Sequence, residues 1–519
     1  MFYLVTFSDA FLSISTAAAD SEPTLISTAD ELAQIGDSEE NLSKSYILTE
    51  NIDLSEYNGG IWIPIGTADS PFTGNFDGNN KTISNMNINC EVPLTNFGLF
   101  GSAKEAKINN VVLADAKIQA EILDATTDMY FGLISGFAQN SSVRNSQILN
   151  GTVLISGKST SDLYVGGLVG RVNESFIDNC IVNADIKNAD PNVEVECYYL
   201  FAGGIIGCGQ HNVIFNSGTS STINVNVNST NAYVGGIAGY STVYISQVCI
   251  MNSYSLSDII VKGSVTGGNY PVGGIAGYLC DDAVNNYFAG NISNMDDNPK
   301  KIGAVFGVAC YDAEIAENTI ANSLIQYNYY DNSLEYPGVS AVSSKTGVTE
   351  IPEEWTTKLA NSNMIALKGN DALVTLLNQN IPFLLETADS HRGLLGDSTW
   401  KDLVQKHDVE VMFYSWTIRS GEYPTLKTSE SARKGGNGFG QATVIDPVPV
   451  ETVESDKKTD VENYPEETIL PVRGEETNDN LTSDSYGSET PNSKILYYIL
   501  GAGFLILLGS IGWIVLRKR

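Results

Sequence analysis

The sequence predicts an all-β solenoid, and three observations carry that expectation. The first is a glycine box, Val234-Gly235-Gly236-Ile237-Ala238-Gly239, which returns unchanged at Val272 to Gly277. Close variants stand at Val165 to Gly170 and Ala202 to Gly207, with looser copies at Phe97 to Gly101, Phe131 to Gly136 and Ile302 to Gly307. The closing glycines fall at 101, 136, 170, 207, 239, 277 and 307, so the gaps run 35, 34, 37, 32, 38 and 30. A period of that length marks a chain whose units bury their apolar faces against their neighbours. The second observation is a fixed pattern downstream of five of the seven boxes. An apolar residue stands seven places after the closing glycine (Ile108, Val143, Ile177, Ile214, Val284), and asparagine stands nine places after (Asn110, Asn145, Asn179, Asn216, Asn286). The third is composition: 48 glycines and only 17% charged residues suit turns and strands better than helices.

The asparagines have a structural explanation. In stacked coils, amides at one phase hydrogen-bond along the axis, and asparagine tolerates the left-handed backbone that a corner requires. The repeat ending at Gly239 departs, with Val248 at the asparagine position, and the last repeat shifts to Asn318. Gly-x-Gly spacing also occurs in nucleotide-binding loops. Those loops need a single βαβ context or a following Lys-Ser/Thr, and neither occurs here.

In order, residues 1–19 read as a weak or truncated secretion signal, with Ala17-Ala18-Ala19 before Asp20 and Asp9 inside the apolar run. Residues 20–90 are expected to cap the array and begin its first coils. Thr28 is an N-cap candidate for a short helix holding Leu32 and Ile35; Asp77-Gly78 and Asn79-Asn80 form turns; and Thr82 to Ile88 alternates as one half-buried strand. Residues 91–330 are the repeats, and residues 331–428 are expected to close the far end. Residues 429–494, acidic and punctuated by prolines, cannot bury enough surface to fold and predict an extended stalk. Ile495 to Leu516 is free of charge and, as a helix, spans about 33 Å, enough for a bilayer core of about 30 Å. The basic tail at 517–519 predicts that everything before this span faces outward.

A net charge of −32 and a pI near 4.3 argue against a nucleic-acid partner, because phosphate recognition needs clustered Lys and Arg. The seven cysteines (90, 180, 197, 208, 249, 280, 310) show no zinc spacing. Cys180 and Cys249 share one phase after the closing glycine, and Cys280 and Cys310 share another. Stacked free thiols, serving as small apolar fillers, are preferred to disulfides.

The boxes resemble the GLUG motif, a Gly-Leu-any-Gly repeat of bacterial and archaeal surface proteins and adhesins, also found in the non-catalytic part of some immunoglobulin A-cleaving metallopeptidases. The similarity covers roughly residues 20–430. It includes Phe72-Thr73-Gly74-Asn75-Phe76-Asp77-Gly78 before the repeats, and Trp416 with Gly421-Glu422-Tyr423-Pro424-Thr425-Leu426 after them. The resemblance implies a right-handed parallel β-helix. The peptidase activity is not carried over with it, since no HExxH occurs in the chain. Leu470-Pro471-Val472-Arg473-Gly474 resembles a sortase signal but has Arg473 where threonine is expected, so retention of the membrane helix is favoured.

Three histidines are present: His211, expected in a surface turn, His391 and His407. Asp281-Asp282 and Asp296-Asp297 flank one coil. They offer hard oxygens for calcium or a carboxylate pair for polysaccharide cleavage, with solvated loop acids the simpler reading. No catalytic residue, cofactor or metal is assigned. The sequons Asn140-Ser141-Ser142 and Asn228-Ser229-Thr230 permit glycosylation. The functional expectation is a membrane-anchored cell-surface adhesin or display protein, not an enzyme, with an extracellular glycan or protein as partner. The alternatives are a polysaccharide lyase or hydrolase, and a purely structural envelope protein.

Overall fold

A computed structural model describes residues 22–89, 94–242, 249–280, 282–298, 300–316, 319–331, 334–344, 350–359, 371–384, 413–418 and 423–426. All lie within one compact unit, Met1–Asp446. The expected leader, stalk and membrane span fall outside the described residues. Among those residues, no helix is long and apolar enough to cross a membrane.

The chain is a parallel β-solenoid of eight full turns, and each turn contributes to three sheets. A glycine sheet, entered from each box, has eight strands: Phe100–Lys104, Ser135–Gln139, Val169–Asn173, Ile206–Gln210, Ala238–Thr242, Ala276–Leu279, Phe306–Cys310 and Val339–Ser343. A short sheet of ten strands comes next, in which Lys107 pairs with Ser142, Ser142 with Phe176 and Phe176 with Val213. A long sheet of 21 strands completes each coil and includes Gln147–Ser159, Thr222–Gly235 and Asp258–Asn269. Alternation sends Ile108, Val143, Ile177 and Ile214 into one continuous core, where each full burial is worth about 1.5–3 kcal/mol.

The asparagine corner is present. Asn110, Asn145, Asn179, Asn216, Asn252 and Asn285 all have φ between 46° and 59°. Their amides bond from coil to coil: Asn179 to Asn145, Asn252 to Asn216 and Asn285 to Asn252 at 2.8–2.9 Å, with Asn110 and Asn216 donating to Asp77 and Asp178. Two members differ from the sequence reading. Ten residues separate Gly239 from Cys249, where six separate Gly207 from Val213, so the corner falls on Asn252. The next coil is one residue shorter, so its corner is Asn285 and its core residue is Ala283 rather than Val284. Asn286 instead turns inward and extends a second ladder, in which Cys180 N–H donates to Ser217, Ser217 to Ser253, Ser253 to Asn286, and the Asn286 amide to Asn328.

The same insertion corrects the cysteine phases. Cys249 aligns with Val213 and Cys180 with Ser217, so these two do not stack. Cys280 and Cys310 do stand on adjacent coils, and they are joined as a disulfide rather than left as free thiols. Equal phase on neighbouring parallel strands brings their Cα atoms to 4.7 Å, within disulfide range. Cys180, Cys197, Cys208 and Cys249 are buried and lie outside that disulfide.

At the N-terminal end, Thr28 caps the helix Ala29–Ala33 in a full capping box, with Glu31 returning to the Thr28 and Ser27 backbone. Thr24–Ile26, Ser45–Leu48 and Asn75–Asp77 already belong to the short sheet. The stretch from Thr82 forms two strands, Thr82–Ser84 and Asn87–Asn89, because Asn85 adopts φ 59° and donates to Asp53. His211 occupies a left-handed turn at φ 50°.

The expected closure beyond residue 330 takes another form. Asn328–Asp331 pairs with Thr356–Leu359, and Val339–Ser343 is the last glycine-sheet strand, so the coils continue. The helix Asp371–Gln379 and the antiparallel pair Trp416–Thr417 and Thr425–Leu426 then lie against the solenoid's flank. The Trp416 indole N–H donates to Asn252, and Asn285 donates to the Leu377 carbonyl. Outward-facing Phe215, Met251 and Val284 meet Leu384 and Phe413 there, while Tyr254 and Tyr287 meet Leu373, Leu377 and Trp416.

Candidate functional site: an aromatic groove

The glycine boxes bend each coil sharply inward. A Cβ on Gly170 would stand 2.6 Å from the Phe131 nitrogen and 2.7 Å from the Gly136 oxygen, so the bend closes backbone on backbone. Outward side chains of the long sheet and the glycine sheet therefore face one another across a concave seam that tracks the solenoid axis.

Alternation fixes what lines it. Leu163 and Val165 enter the core, which sends Tyr164 out; by the same parity Tyr130, Phe201 and Tyr233 point into the seam. Their rings form a column with centroid spacings of 5.0, 4.9 and 5.2 Å and interplanar angles of 16° or less. From the opposite wall come Phe137, Arg171, Cys208, Tyr240 and Tyr278. The Arg171 guanidinium lies 5.0 Å over the Tyr164 ring, Tyr240 meets Tyr233 edge-on at 4.8 Å, and Tyr240 stacks on Tyr278 at 4.9 Å. Tyr164, Phe201, Cys208 and Tyr233 retain 4–7% exposure, and the outer tyrosines 130, 199, 240 and 278 are half-buried. Beside the aromatic row runs a carboxamide row in strict register: Gln139 pairs with Asn173 and Asn173 with Gln210, whose side-chain oxygen accepts from Arg171 at 3.1 Å.

One end of the groove is acidic. The Tyr164 hydroxyl donates to Asp162 at 3.0 Å, and the Asp162 N–H donates to Asp128 at 3.2 Å. Burial, followed by the neighbouring Asp128 charge, pushes the Asp162 carboxyl up to about 7. Its Oδ1 has no hydrogen-bond partner, which disfavours the charged form in the same direction. Burial also pushes the Tyr130 phenol and the Cys208 thiol up to about 12, so both are neutral at ordinary pH.

The sequence singled out other acids, and the structure does not bring them together. Asp282 is buried in a short-sheet strand and accepts from the Leu324 N–H, whereas Asp296 sits in a loop after the long sheet. Burial of Asp296 opposes ionisation, but Lys300 and the N–H groups of Gly263 and Asn298 outweigh it and hold its carboxyl below the usual range. Asp297 is exposed, and Asp281, His391 and His407 lie outside the described residues. Among the described residues, no group of three His, Cys, Asp or Glu side chains is placed to hold a metal. Sequence reasoning missed the groove although its signal was present. Counting from the closing glycines 136, 170, 207 and 239, an aromatic residue stands six places before each, and Phe137, Tyr240 and Tyr278 stand one place after theirs.

No family model matches the chain. An immunoglobulin A1 protease of Streptococcus sanguinis is 28% identical over 264 residues, covering 49% of this chain and 12% of that protein. Halomucin of Haloquadratum walsbyi is 34% identical over 158 residues, covering 28% of this chain and 2% of that protein. A solved structure from Bacteroides ovatus, provisionally described as an immunoglobulin A1 protease, aligns with a TM-score of 0.37 and 16% identity over 79% of this chain and 94% of its own. The chain is thus similar to a small portion of two much longer proteins, and it spans 12% and 2% of their lengths.

Proposed function

We propose that the chain is the binding region of a GLUG-type cell-surface adhesin or display protein, and that the aromatic groove is its binding face. The groove carries this reading: it is an outward seam of half-buried tyrosines with no chain segment described over it, whereas the opposite flank is covered by the chain's own residues. Interfaces concentrate tyrosine and arginine at their anchors, and both line the seam. The similarity to a part of halomucin agrees with a surface role. Ile495 to Leu516, with its basic tail, serves as the membrane anchor, and residues 429–494 as an outward stalk. Binding of this kind needs no cofactor, and the partner is an extracellular glycan or protein.

The test is display of the detergent-solubilised full chain on glycan, mucin and matrix-protein arrays, beside a Tyr199→Ala/Tyr240→Ala variant of unchanged melting behaviour. Capture of a ligand by the parent, weakened at least tenfold in the variant, is the expected result. Equal capture by both would sink the groove as the binding face.

Asp162 favours a second reading, a polysaccharide-cleaving enzyme. A carboxyl raised to about 7 beside a second carboxylate is what a general acid requires. Reducing ends released by the parent and abolished in Asp162→Asn would establish turnover in place of simple binding.

A further inference from the structure

Resting on the groove as the binding face, the periodicity of its walls points to a ligand class. We infer that the groove takes a neutral glycan chain laid along the solenoid axis, its ring hydroxyls bonded by the carboxamide row and its apolar edges set against the tyrosines.

Three features carry this. The first is what each rung offers. The column from Tyr130 to Tyr233 is stacked face to face, so these rings spend their faces on one another and turn edges outward, with the Tyr130 and Tyr164 hydroxyls donated to Asp128 and Asp162. Gln139, Asn173 and Gln210 stand half-buried beside them, each with a donor and an acceptor on one planar group. A pyranose ring presents the matching surface, with apolar C–H edges alternating with hydroxyls that both donate and accept. The second is spacing. The rungs recur at 4.9–5.2 Å, and an extended sugar polymer advances by roughly one ring per rung. An extended peptide repeats its facing side chain only every ~6.6 Å, so it drifts out of phase within two coils. The third is charge. Across the stacked rungs the described residues place Asp128, Asp162 and Arg171, whose two terminal nitrogens donate to Tyr164 and Gln210, while Lys104 stands in register with Gln139 one coil before the stacked rings, within a chain of net charge −32. Along the four stacked rungs a uronate or sialylated chain would meet two carboxylates against one guanidinium already donating to its neighbours, within a repelling overall field.

The experiment titrates the full chain in detergent with neutral and acidic oligosaccharides of increasing length, and with a random extended-peptide library. Affinity for a neutral oligosaccharide should rise with length and level off near the four stacked rungs. Tyr240→Phe keeps the ring and removes the hydroxyl; Asn173→Asp keeps the shape and adds a charge. Each should weaken neutral-glycan binding about tenfold, with the circular dichroism spectrum and melting temperature unchanged. A preference for acidic glycans or for peptides, sensitive to these two substitutions, overturns the glycan assignment and leaves the groove standing. Glycan binding that ignores both substitutions overturns the groove as well. Absence of binding to every glycan overturns the inference.

Discussion

Two flanks of this solenoid share one interior and differ entirely outside. On the flank around the asparagine corner, Phe215 and Met251 of the short sheet and Tyr254 and Tyr287 of the long sheet point away from the core and are covered by residues 371–384, 413–417 and 423–426. On the glycine-bend flank, Tyr130, Tyr164, Phe201 and Tyr233 also point away from the core, yet among the described residues they are met by side chains of their own coils, Phe137, Arg171, Cys208, Tyr240, Asp128 and Asp162, and by no covering segment. Both flanks are apolar and built on the same coil period. Apolar surface that the chain covers itself acts as core, and apolar surface with polar tips and no covering segment is available for recognition. The outward parity of a repeat therefore holds the functional information, while the inward parity holds the fold.

Three measurements would break or sharpen that contrast. The largest effect is expected at Trp416, whose ring contacts Tyr254 and Tyr287 and whose indole N–H bonds Asn252. Trp416→Ala should cost about 3–5 kcal/mol in chemical denaturation, whereas Tyr240→Ala in the groove should cost about 1 kcal/mol or less. Similar costs at the two sites would remove the distinction between covered core and open groove. Next, Cys280→Ser opens a cross-link between neighbouring coils that encloses 30 residues, for a loss of about 3–4 kcal/mol. Reductant should lower the melting temperature of the parent and leave the variant unmoved.

The smallest effect is a pH dependence at the acidic end of the groove. The folded carboxyl of Asp162 stands at about 7, above its ordinary 3.8, so the folded chain holds a proton that the unfolded chain releases. Its contribution is fully present below about pH 4 and is lost as pH rises through about 7. The full rise corresponds to roughly 4 kcal/mol, and a half-buried side chain should deliver about 2 kcal/mol. Asp162→Asn should therefore be more stable than the parent at pH 8 and nearly equal to it at pH 4. The difference between the two proteins is the quantity to plot, since it cancels Asp178, whose carboxyl is raised by burial in both. A flat difference across that range would show that Asp162 is ionised throughout.

Much of this architecture was legible in the residues. The boxes gave the coil, and the asparagines gave a left-handed corner because few other residues tolerate that backbone. Phase counting failed where coil lengths change: four extra residues before Cys249 displaced the corner to Asn252 and paired the wrong cysteines. The flank segment was marked in the sequence by Trp416 and Tyr423 to Leu426, but its seat was not, because the contact from Tyr414 back to Asn216 crosses 198 residues and has no period. The groove is written in plain periodicity, six places before each closing glycine. It escapes notice because an aromatic in a strand reads as core until the parity of its neighbours is compared.

That long-range contact also bears on how the chain is made. A repeat array normally assembles by adding each coil to the one before, with contacts no more distant than one period. Here the corner amides of Asn216 and Asn252 receive their outer partners from Tyr414 and Trp416, which leave the ribosome far later. The coils that carry Asn216 and Asn252 must wait, outwardly half-dressed, while 198 and 164 residues separate them from Tyr414 and Trp416, and they complete their surface only when that segment arrives. Synthesis arrested before residue 413 should therefore yield a nascent chain with coils formed and a greasy flank on show, the state a holding chaperone would recognise.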